Sequence, residues 1–147
     1  MEIKVGQKEL RRHDIRDPKD VMIGQYSVPF CVALAILADA RDPRTFRDAD
    51  VRNPELRSLM DRIRLVPWGT EPASPIASAV TIAMRDGTVL EAAVSDFRGT
   101  PDDPLSEAEL REKFLLLTRD YDRLQMTAIF DRLLRLEKEP GVDWISV

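Results

Sequence analysis

The chain has 147 residues, 44% of them hydrophobic and 33% charged, a balance that supports a core of domain size and excludes a disordered polymer. Lysine and arginine number 22 against 26 acids, giving a net charge of −4; the arginines are spread from Arg11 to Arg135, usually beside an acid, so nucleic-acid binding is not expected. One cysteine, Cys31, excludes an intramolecular disulfide and fits a reducing compartment, and a single histidine, His13, beside it gives too few ligands for an intrinsic zinc site.

Residues 1–5 alternate, with Ile3 and Val5 on one side and Glu2 and Lys4 on the other, the period of two that marks a half-buried strand. An initial strand needs neighbours that come later in the chain, so the start reads as an entry into the middle of a larger fold. No basic region followed by a long apolar stretch opens the chain, so no signal peptide is expected. Residues 7–24 are charged, and Asp17-Pro18 reads as a turn. Ser27 is placed to cap a helix with Pro29 in its first turn. From residue 28 to 38 nothing is charged, and a helix apolar on every face is expected to be buried on every face, against a partner domain or subunit. Those 11 residues fall short of the roughly 20 that cross a bilayer, so a cytoplasmic protein without membrane contact is expected.

The next helix starts at Asn53-Pro54, with Leu56, Leu59, Met60 and Ile63 on one face. Residues 62–66 turn extended, and 67–75 read as a proline-rich loop. Residues 77–84 and 88–94 are β-branched or apolar, and Asp86-Gly87 between them predicts a hairpin with a type I′ turn. Ser106-Glu107-Ala108-Glu109 is a capping box, with Leu105 and Leu110 at the positions of a hydrophobic staple. Leu110, Phe114 and Leu117 continue that helix, and a second one runs from near Asp122 to about Glu137, ahead of Pro140-Gly141. Residues 142–147 read as a short extended piece. The order predicts an α+β fold: one domain over residues 1–147, with a small, mostly antiparallel sheet and helices packed on one face.

Groups able to do chemistry are few. There is no glycine-rich phosphate loop and no Gly-x-Ser-x-Gly elbow. His13, among Arg11, Arg12, Asp14 and Arg16, reads either as a solvated histidine in a charged loop or as a site residue, since an imidazole relays protons near neutral pH and the arginines bind carboxylates. Arg98, beside Gly99 and ahead of Asp102 and Asp103, reads either as part of a surface turn or as a guanidinium offered to a carboxylate. Cys31, inside an apolar run, reads as a small buried hydrophobe before a nucleophile, and Tyr26 as a phenol packed at a helix entrance before a catalytic one.

Two segments carry a resemblance. Asp20-Val21-Met22-Ile23-Gly24-Gln25-Tyr26-Ser27-Val28-Pro29-Phe30-Cys31-Val32-Ala33 resembles the Ala-Gln-Tyr/Phe-Ser-Leu-Pro-Tyr/Phe-x-Val-Ala segment of the MmgE/PrpD (2-methylcitrate dehydratase) family, with Gly24 where alanine is common. Arg98-Gly99-Thr100-Pro101-Asp102-Asp103-Pro104-Leu105-Ser106, followed by Glu109-Leu110 and Lys113-Phe114, resembles that family's Arg-Gly-x-Pro-x-Asn-Pro-Leu-Ser…Glu-Leu…Lys-Phe block, with Asp103 at the usual asparagine. The resemblance covers nearly the whole chain and identifies it with the smaller, carboxy-terminal α+β domain.

It implies a homodimeric protein with a large helical amino-terminal domain, a Lys-x-Tyr/Phe-Pro stretch and following histidine ahead of Met1, and a cleft between domains whose catalytic groups come mostly from the helical part. The implied reactions are dehydration of 2-methylcitrate, decarboxylation of cis-aconitate and epimerisation of iminodisuccinate, without metal or organic cofactor. The resemblance places His13 as a catalytic candidate, with Arg12 and Arg98 as binders of substrate carboxylates. The chain is then an isolated domain, a truncated gene product or one subunit of a split enzyme, inactive without a helical partner. The alternative is a non-catalytic dimerisation or interaction module of the same fold.

Overall fold

The computed structural model describes residues 1–69 and 77–145. They fall into two compact units, Met1–Phe97 and Arg98–Val147.

The first unit is built on a four-stranded sheet. Strand β1 (Glu2–Val5) buries Ile3 and Val5 and exposes Lys4, as its alternation predicts. It lies parallel to β2 (Arg64–Pro67) and antiparallel to β3 (Ser78–Ala83), which is antiparallel in turn to β4 (Val89–Val94). The order is β2-β1-β3-β4, so the sheet is mostly antiparallel and the fold α+β. Register aligns Ile3 with Leu65 and Val80, putting one apolar row on one face.

That face is closed by helices. Asn53 caps α5 (Pro54–Met60), accepting from the amides of Glu55 and Leu56, and Leu56 and Met60 are fully buried. Helix α3 (Val28–Leu37) packs on α5. Its Phe30, Ala33 and Leu34, with Leu56, Met60 and Ile63, form one cluster with Ile3, Val5 and Leu65. Within this chain the uncharged helix is buried on one side, and its other side is left open, where burial against a partner domain or subunit is expected. Pro29, Phe30, Ala33 and Leu34 make one buried side, while Ile36 is 49% exposed and Leu37 42%. Among the described residues no helix is long and apolar enough to cross a membrane.

Three further helices occupy stretches that periodicity did not mark: α1 (Gln7–His13), α2 (Val21–Gln25) and α4 (Asp48–Val51). They are too short for an apolar face to repeat; side chains from elsewhere hold one end of α2, where Val21 N–H donates to Asp48, 27 residues away, and one end of α4, where Arg57 donates to the Val51 carbonyl. The hairpin stands, but not on a type I′ turn. That turn needs positive φ at two successive residues, whereas φ is positive at Gly87 (+88°) and at no non-glycine residue among those described. Gly87 N–H bonds to the Met84 carbonyl and Met84 N–H to the Thr88 carbonyl, a three-residue loop with the left-handed glycine last. All of β4 is exposed, Val89, Leu90 and Val94 each by more than half. The proline-rich stretch expected over 67–75 lies mostly outside the described residues.

The second unit is a helix pair. Ser106 and Glu109 form the complete capping box of α6 (Glu107–Leu117), and Asp122 caps α7 (Arg123–Leu133) by accepting from Gln125 N–H. Phe114 meets Phe130 with ring centroids 5.4 Å apart, and the Arg111 guanidinium lies 4.7 Å from the Phe130 centroid. Helix α7 stops four residues short of the expected Glu137, giving way to a 3₁₀ turn over Leu136–Lys138. The extended tail is also absent, since Asp143–Ile145 form another 3₁₀ turn whose Trp144 ring is covered by Arg132, 4.1 Å from its centroid. Residues 146 and 147 lie outside the described residues.

The hydroxyl of Ser27 is wholly buried, accepting from Phe30 N–H at 3.1 Å and donating to the Ile15 carbonyl at 2.6 Å. Ser27→Ala orphans both groups and should cost about 2 kcal/mol. Urea unfolding followed by circular dichroism checks this; a change below about 0.5 kcal/mol would mean that water replaces the hydroxyl.

Candidate functional site

His13 is the last residue of α1, and its surroundings are fixed from three directions. The chain leaves the helix through Asp14 and is caught at Ile15 by Ser27. Arg16 reaches the end of α5, donating to the Ile63 carbonyl at 2.6 Å and the Met60 carbonyl at 3.3 Å. Arg57 reaches back from α5, donating to the Arg16 carbonyl at 3.1 Å, the Pro18 carbonyl at 3.4 Å and Asp17 at 2.8 Å. The charged segment is therefore a strapped loop, held mainly through backbone carbonyls.

On that frame the His13 ring meets Tyr26. Nδ1 lies 2.9 Å from the Tyr26 carbonyl oxygen, and the two rings are near parallel, 12° apart with centroids 6.4 Å apart. Nε2 has no hydrogen-bond partner among the described residues. Tyr26 is 60% exposed, so its ring stands at the surface and is not packed as a helix-entrance phenol.

Arg12 and its neighbour Arg11 are exposed and make no ion pair or hydrogen bond among the described residues. Most arginines of the chain do otherwise: Arg16 pairs with Asp14, Arg47 with Asp50, Arg57 with Asp17 and Arg64 with Glu2. The last turn of α1 thus carries two free guanidinium groups, each able to bind a carboxylate, and an imidazole with one open nitrogen, able to exchange a proton.

Cys31 sits one turn into α3. Its thiol contacts the carbonyls of Gly24 (3.6 Å) and Gln25 (3.5 Å), and burial pushes its pKa up. Burial therefore favours the thiol over the thiolate at this position. At Gly24 a Cβ would lie 3.1 Å from Phe30 Cε1, so glycine lets the Phe30 ring lie close against the α2 backbone.

Arg98 belongs to the other unit, and its guanidinium is engaged. Nε and Nη2 donate to the two carboxylate oxygens of Glu109 at 2.9 and 2.7 Å, and Nη1 pairs with Asp103. Gly99 makes the turn with φ +100°, its N–H donating to the Asp103 carbonyl at 2.7 Å. This cluster straps the loop to the N-terminus of α6. Hydrogen bonds from Arg98, then from Ser106, lower the Glu109 pKa to about 2.

The MmgE/PrpD C-terminal domain family matches this chain over residues 2–136. The chain belongs to that family. No curated protein matches it.

Within this MmgE/PrpD C-terminal domain the two segments of family resemblance are largely capping chemistry. The first holds Asp20 and Ser27, the caps of α2 and α3; the second holds the Arg98 strap and the Ser106 cap of α6. Asp103, where the family has asparagine, gives Arg98 a second carboxylate. The sequence marks His13, Arg12 and Arg16 but not Arg57, nor the bonds from Arg16 to the Met60 and Ile63 carbonyls and from Arg57 to Arg16 and Asp17, which span 40 or more residues and leave no local signal.

Glu109 has a depressed pKa, so its contribution is present above its ordinary value of 4.5 and is lost as pH falls toward 2. The start of α6 should loosen in that window. Amide exchange at residues 107–110 checks it, and Glu109→Gln should flatten the pH dependence; a carboxyl titrating near 4.5 would show that the strap does not form in solution.

Proposed function

We propose that this chain is the carboxy-terminal part of a lyase or isomerase acting on small polycarboxylates such as 2-methylcitrate, with His13 as a proton-transfer group and Arg12 as a carboxylate anchor. The observation that carries this reading is the end of α1: an imidazole oriented through Nδ1 with its Nε2 open, in a helical turn that also carries two unpaired guanidinium groups. The reactions of this chemical class take a proton from carbon beside a carboxylate, or return one to it, and need a base and a cation at one place. His13 is the single histidine and Nε2 has no acid or base within hydrogen-bond reach among the described residues, so a second catalytic group comes from a helical partner. The chain alone is then inactive. Arg98 is the weaker anchor, because binding substrate would require it to release Glu109 or Asp103.

The test pairs or fuses the chain with a family helical domain and follows unsaturated product from 2-methylcitrate and related acids. His13→Ala should lower kcat about 10²–10⁴-fold. Arg12→Ala should act mainly through KM, and Arg98→Ala mainly on stability. Full activity of the His13→Ala enzyme would remove His13 from the site, and turnover by the chain alone would overturn its dependence on a partner.

A second reading, a non-catalytic interaction module, is favoured by β4. This edge strand is exposed along its whole length, carries Glu91 as its single charge and has no proline or lysine, the devices that usually protect an edge. Under this reading the chain sediments as a dimer at micromolar concentration, and Leu90→Lys returns it to a monomer. A monomer at every concentration disfavours the module.

A further inference from the structure

The Tyr26 carbonyl is free because of how α3 begins. In a continuous helix the Phe30 N–H would bond to the oxygen four residues earlier, at Tyr26. Here Ser27 interrupts the ladder: its side chain takes the Phe30 N–H, and Cys31 N–H closes on the Ser27 carbonyl. The Tyr26 N–H is spent inside α2, on the carbonyls of Gly24 and Ile23. Its carbonyl, stranded between two helices, is the oxygen that faces His13 Nδ1 at 2.9 Å. A carbonyl can only accept, so the nitrogen facing it must carry a proton.

We propose that Tyr26 is the positioning residue of this site: its carbonyl and ring hold neutral His13 in the form protonated at Nδ1, leaving Nε2 as the nitrogen that takes a proton from substrate. The proposal rests on the proton-transfer reading of His13 and adds which nitrogen acts and what selects it. In water a free histidine side chain prefers the opposite form, with the proton on Nε2, so the preference has to be imposed. The carbonyl imposes it through the hydrogen bond. The Tyr26 ring, 12° from parallel with the imidazole, limits rotation about the bonds that would swing Nδ1 away. The backbone on the His13 side is held by the Ser27–Ile15 bond and by Arg16 and Arg57, so contact does not depend on the histidine side chain alone. The hydroxyl of Tyr26 takes no part; the ring does.

A single histidine makes the test direct. In the full chain labelled with nitrogen-15, long-range proton–nitrogen correlation above the histidine titration should show one imidazole, with a pyrrole-like Nδ1 and a pyridine-like Nε2. Tyr26→Phe should leave that pattern in place. Tyr26→Ala, and Tyr26→Leu as a second variant free of backbone loosening, keep the carbonyl but remove the ring that holds Nδ1 against it, and should move the pattern part of the way toward the Nε2-protonated form of a free side chain. In an enzyme completed by a helical domain, Tyr26→Ala should lower kcat with little change in KM, and Tyr26→Phe should restore it. A wild-type spectrum with the proton on Nε2, or a pattern unmoved in both Tyr26→Ala and Tyr26→Leu, overturns the proposal. An intact pattern with a fully active His13→Ala enzyme would overturn the proton-transfer reading while leaving the positioning contact standing.

Discussion

One buried hydroxyl organises the first unit. Ser27 ends the α2 ladder, starts α3 and donates to Ile15, joining three pieces of chain at a point with no solvent to replace it. An uncapped helix start buried in a core leaves unsatisfied N–H groups that cost more than an ordinary hydrogen bond contributes. The register of the His13 loop against the Tyr26 junction follows from that bond. Phe30, wholly buried three residues on, then fills the core over the sheet, with Gly24 making room for its ring. The site is thus a by-product of how a helix begins.

Legibility in the sequence tracked the range of the interaction. The Ser27 and Asn53 caps, the Ser106 box and the alternation of Ile3 and Val5 are local, and the structure contains all of them. The turn at Asp86-Gly87 was legible as a turn but not by type, because Asp-Gly also suits a loop in which glycine alone takes positive φ. Helices α1 and α2 were not legible, since seven and five residues hold less than two turns each and tertiary contacts decide them. The apolar run of α3 was legible, but which of its sides this chain covers was not, because that depends on the distant residues Leu56, Met60 and Ile63.

The two arginines singled out in the sequence differ in a way that only partners reveal. Arg98 has a carboxylate on each side of its fork, and its sequence neighbours Asp103 and Glu109 supply both. Arg12 has neither. A guanidinium already bound in two directions is structural by default, whereas an unpaired one retains its capacity for a ligand. Arg57 is a third case: a guanidinium used to hold backbone carbonyls, with no sequence pattern of its own.

The straps of the two units are made of different chemistry. Around His13 the arginines grip mostly peptide oxygens, which neither titrate nor exchange partners with added ions. Around Arg98 the grip is on carboxylates, which do both. Acid or concentrated salt therefore loosens the whole grip on Arg98, whereas around His13 it reaches the Arg16–Asp14 and Arg57–Asp17 pairs and leaves the grip on peptide oxygens in place.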